Sequence, residues 1–101
     1  MASDGRREEM DAKIKAWERE LERLRVALAR APESVHAQYY PQFVEVYRAK
    51  EVVKSRWEAI RGVYRPDVTE VDRFQEALFS MEETWAVSQS MIAEVLQFVA
   101  A

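Results

Sequence analysis

The chain has 101 residues, 49% of them hydrophobic and 33% charged, with two glycines, three prolines and no cysteine. This length holds one hydrophobic core, and the missing cysteine excludes disulfides, thiolate metal sites and cysteine nucleophiles. So few turn residues exclude a small all-β domain, which needs a turn signal every 8 to 12 residues or so, while a net charge of −3 argues against a nucleic-acid partner, since affinity for phosphates comes from Lys and Arg.

The opening residues MASDGRREEM lack the apolar stretch of a secretory signal, and with the absence of cysteine the expected location is the cytoplasm. From Met10 the apolar positions run Met10, Ile14, Trp17, Leu21, Leu24, Leu28, Ala31. This alternation of four- and three-residue steps is a coiled-coil stripe. It predicts a first helix over about 4–31, capped by Ser3 or Asp4 and ended by Pro32.

A second stripe follows the break, through His36, Tyr39, Phe43, Val46, Lys50, Val53, Trp57, Ile60 and Tyr64. It predicts a helix over 34–63 with Gly62 at its left-handed terminus. Pro41 either kinks this helix or opens it, because an interior proline deletes one backbone hydrogen bond.

Arg65-Pro66 breaks the chain again, and Asp67 with Glu70 forms a D-x-x-E capping signal. A third stripe through Val71, Phe74, Leu78, Met81, Trp85, Ser88, Ile92, Val95 and Val99 predicts a helix over 67–99. Its least charged part, Thr84 to Ala101, carries only Glu94, yet falls short of the roughly 20 residues of a membrane span, so no membrane association is expected.

Short connections make neighbouring helices antiparallel. The stripes then pair Ile14 with Ile60, Trp17 with Trp57 and Leu24 with Lys50, and, across the second connection, Trp57 with Leu78 and Lys50 with Trp85. The expected fold is one all-α domain over 1–101, an antiparallel three-helix bundle with coiled-coil-like packing. Charge divides along it: residues 67–101 hold seven acids against Arg73 alone, a net of −6, and residues 1–66 carry +3. Acidic and basic flanks of this kind complement one another within a bundle.

Little in the sequence carries chemistry. Glu33 and His36 form one E-x-x-H, half of what a di-iron bundle supplies twice, so no metal is expected. Lys50 stands alone in an apolar stripe, where a polar residue sets register; its ammonium is expected to reach glutamates over the Trp85 face. With glycines only at positions 5 and 62 there is no phosphate loop, and no Ser-His-acid set is evident, so neither an enzyme nor a cofactor is expected.

Val44, Val52, Phe79 and Val87 fall outside the stripes. Together they form the candidate interaction surface, toward a homodimer or another protein partner. The alternative function is an apolar small-molecule binder, using the underfilled layer of Leu28, Val46 and Ser88 beside Trp85.

The segment MDAKIKAWERELERLRVALARA, then QYYPQFVEVYRAKEVVKSRW, then a helix containing ETW, resembles a family of small bacterial coiled-coil proteins described as stress-response proteins. Lys13, Trp17, Glu20, Leu21 and Leu24 approximate that family's opening K-x-x-x-x-W-x-x-E-[IL]-x-x-L pattern, and the outline extends over about residues 10–98. Pro41 and the sparsely charged C-terminal turn depart from the Lys- and Glu-rich family pattern. The resemblance implies a helical, non-enzymatic protein and assigns no functional residues.

Overall fold

The computed structural model describes residues 2–98, with side chains from residue 5 onward. Four α-helices account for nearly all of them: α1 (Ala2–Arg30), α2 (Glu33–Ile60), α3 (Val68–Val87) and α4 (Gln89–Leu96). The all-α class is as expected, whereas the single third helix is not: the described residues contain four helices. α1 is already helical at Ala2, so Ser3 and Asp4, expected as its cap, lie inside it; the last stripe residue, Val99, lies outside the described residues.

Only Ala31 and Pro32 separate α1 from α2. Pro32, at φ −55° and ψ 150°, cannot continue α1 but opens α2, and its carbonyl accepts from the amides of Val35 and His36 at 3.0 Å. The second connection is a type II turn. Arg61 has φ −63° and ψ 125°, Gly62 has φ +79°, and the Val63 amide closes the turn on the Ile60 carbonyl at 3.2 Å. The third turn position needs positive φ, which glycine supplies without steric cost. α2 therefore ends at Ile60 rather than 63, and Tyr64 is not a core residue but lies 91% exposed. Asp67 caps α3 by accepting the Thr69 amide at 2.8 Å rather than that of Glu70, an arrangement worth about 1 kcal/mol.

These tight connections correct the expected pairing. Trp17, expected opposite Trp57 and Leu78, meets α3 seven residues beyond Leu78. It packs on Trp85, with ring centroids 6.5 Å apart, while Trp57, half-buried, tilts against Phe74 at 5.2 Å. The seven-residue periodicity leaves the core set almost intact after such a shift. Met10, Ile14, Trp17, Leu21, Leu24, Leu28, Phe43, Val46, Val53, Phe74, Met81, Ile92 and Val95 are all buried as expected, and Ala27 and Met91 join them.

The break at Ser88 has a local cause. Ala86-Val87-Ser88-Gln89-Ser90 is poor helix-forming sequence, with one β-branched residue and two serines that compete for backbone bonds. Ser88 has φ −85° and ψ −2°, and its amide is shared between the carbonyls of Thr84 and Trp85. The Gln89 side chain takes the Trp85 carbonyl at 3.1 Å. α4 packs directly on α1, while α3 reaches α1 through the long side chains of the Trp17–Trp85 and Lys13–Glu82 contacts.

Pro41 lies within α2, not at its start. The carbonyl it leaves without a helical partner belongs to Ala37, and both residues are exposed, so water replaces the missing donor. The residual cost should be visible. Pro41→Ala is expected to stabilise the protein by about 2 kcal/mol, the interior proline penalty less the chain entropy that proline removes from the unfolded state, as measured by urea unfolding.

Candidate functional site

One flank of α2 carries four aromatic rings in steps of four, three and four residues: His36, Tyr40, Phe43 and Tyr47. Helical spacing sets each ring against the next. His36 stacks on Tyr40 at 5.0 Å and 16°, Tyr40 meets Phe43 at 6.1 Å, and Phe43 meets Tyr47 at 6.1 Å. Phe43 anchors the ladder in the core, while Tyr40 and Tyr47 remain 46% and 44% exposed. With Val44, Arg48 and, from α1, Arg25, they line an open pocket of about 410 Å³. Tyrosine and arginine around an apolar floor are the residue types that protein interfaces concentrate.

Lys50 terminates the ladder. Its side chain is buried, as the stripe implied, but the ammonium does not lie over Trp85: it sits 4.2 Å above the Tyr47 ring, bonded to Glu51 and 3.6 Å from Glu18. The register, which carries Trp85 away to Trp17, leaves Glu51 on α2 and Glu18 on α1 as the acid partners of Lys50. Lys54 binds the same Glu18 carboxylate at 3.0 Å. The Lys54 hydrogen bond, aided by the charges of Lys54 and Lys50, holds the Glu18 carboxyl below its ordinary pKa against the opposing effect of burial. No buried side-chain nitrogen or oxygen among the described residues lacks a partner.

The four residues proposed as an interaction surface differ in exposure and surroundings. Val52, Phe79 and Val87 are 48%, 64% and 77% exposed. Val44 is partly buried against the core and belongs to the aromatic pocket, whereas Val87 borders a depression of about 210 Å³ with Gln42, Glu45, Thr84 and Ser88. Ser88 itself is 1% exposed and accepts a hydrogen bond from Gln42 Nε2 at 3.4 Å. The sequence reading missed Tyr40 and Tyr47 because their spacing runs beside the core stripe and was absorbed by it. Among the described residues no helix is long and apolar enough to cross a membrane, and no cluster of three or more His, Asp or Glu is disposed to hold a metal.

At the opposite end, Asp11 clamps α1 to the end of α2. Its carboxylate accepts from Arg61 Nε and Nη2 at 2.9 and 2.7 Å and from the Trp57 indole at 2.8 Å. These bonds, the guanidinium first, pull its pKa down to about 2.

No protein-family model matches this sequence, and neither the curated proteins nor the solved structures contain a significant match to it.

Two outcomes test these electrostatics. Lys50→Met should leave stability unchanged or raise it by about 1 kcal/mol or more, because Glu18 keeps Lys54 and no charge is orphaned; Glu18→Ala with Glu51→Ala should lower it by about 3 kcal/mol by leaving a buried ammonium unpaired. Chemical denaturation measures both. Asp11 binds its proton less tightly folded than unfolded, so its contribution is complete above about pH 4 and disappears as the pH falls toward 2. The stability difference between the native protein and Asp11→Asn should shrink over that interval, as followed by thermal melts at stepped pH.

Proposed function

We propose that the chain is a non-enzymatic interaction module of the cytoplasm. In this reading it is a three-helix bundle with coiled-coil-like seams, its third helix broken at Ser88, and it presents the aromatic face of α2 to another protein surface, in the first instance a second copy of itself. The observation that carries the proposal is the half-exposed Tyr40 and Tyr47, ordered on a buried Phe43. Rings fixed by one another lose little entropy when a partner covers them.

Charge supports the same partner. Arg48 borders the aromatic face beside Glu51, and Arg25 there is paired with Glu22, while α3 exposes Phe79 and Val87 beside Glu76 and Glu83. Arg48 opposite those acids would help to fix register in such a pairing. The pattern shared with small bacterial coiled-coil proteins accords with a role of this kind.

A stable pairing has to bury about 1,000 Å² or more. Sedimentation velocity from low to high micromolar concentration is expected to show a reversible shift above the mass of one chain. Tyr40→Glu and Phe79→Glu should each abolish the shift with helix content unchanged, because a new carboxylate at either position opposes the interface alone. A single species of monomer mass across the range would exclude self-docking.

A further inference from the structure

A pocket of about 470 Å³ lies at the end of the bundle where α1 begins and α2 closes, and Arg6, Arg7, Arg61, Trp57, Ile60 and Val63 line it. Its volume falls in the range of small-molecule sites, about 300–1,000 Å³. Its chemistry is divided. Trp57, Ile60 and Val63 supply an apolar floor, and three guanidiniums surround it.

The arginines are not equivalent. Arg61 is committed to Asp11 through both Nε and Nη2, and this pair fixes the Trp57 indole in place. Arg6 and Arg7 take part in no ion pair among the described residues. Gly62, at φ +79°, turns the chain at the rim with no side chain to fill it; a Cβ there would meet nothing within 4 Å. The wall is therefore held open by the turn, the floor is held by the clamp, and two cations remain for a ligand.

We propose that this pocket binds an amphipathic organic anion, its acidic head paired with Arg6 and Arg7 and its apolar body laid on Trp57, Ile60 and Val63. Guanidinium forks match carboxylate and phosphate oxygens two at a time, and an apolar floor beside them selects against simple inorganic anions. The site is separate from the aromatic face of α2. Its ligand is either a free carboxylate with an alkyl chain or the anionic headgroup region of a lipid.

The test uses the full chain labelled with ¹⁵N, in which the three tryptophans give three indole N–H signals. Titration with sodium decanoate should shift the Trp57 indole saturably while leaving those of Trp17 and Trp85 in place, and decanol should bind more weakly. Arg6→Gln with Arg7→Gln, which keeps the stems and the helix, should weaken decanoate about tenfold or more, the effect of losing charge-assisted hydrogen bonds. Phosphatidylglycerol vesicles that bind the chain and release it to decanoate would support the same site with lipid as the source. The proposal is overturned by a Trp57 signal that does not saturate, by equal shifts of all three indoles, by undiminished affinity in the double variant, or by vesicle binding that decanoate does not displace.

Discussion

The shortness of the two connections governs this molecule more than any single contact. Ala31 and Pro32 leave α1 and α2 no choice but to run antiparallel, and the type II turn around Gly62 halts α2 at Ile60. Once those two fold-back points are set, the levels at which side chains meet are set with them. Trp57 finds Phe74, Trp17 finds Trp85, and Lys50 is left beside Glu18. The interior then packs around those meetings, with Leu24, Val46, Val53, Met81 and Val95 wholly removed from water. Apolar burial supplies the drive; the turns decide which residues share it.

Much of this was legible in the sequence. Steps of three and four identified the buried face of every helix, and Pro32, Gly62 and Asp67 marked boundaries through conformational preferences that do not depend on context. The pairing between helices was not legible, because a heptad pattern is satisfied equally well after a shift of seven residues. Trp17 moving from Leu78 to Trp85 is such a shift. The break at Ser88 was also hidden. Its serines and valine weaken a helix only mildly.

The candidate interaction surface was legible in part, for a related reason. Exposed apolar residues outside a stripe can be recognised, and Val52, Phe79 and Val87 are exposed. Residues adjoining a stripe are ambiguous, since a helix of this radius buries some of its flank. Tyr40 and Tyr47 were assigned to neither face, and Val44, read as outward, is partly buried against the core while lining the pocket; all three border Phe43. Lys50 shows the same limit in electrostatic form: its burial follows from periodicity, but its acid partners follow from register.

The interruption at Ser88 leaves α4 only eight residues long. A helix of that length is marginal in water by itself, so its order is borrowed from Met91, Ile92 and Val95 against the rest of the molecule and from the bond between Tyr39 and Glu94. Such a segment has low intrinsic stability, and its amides are expected to exchange with solvent ahead of those in α1 and α2.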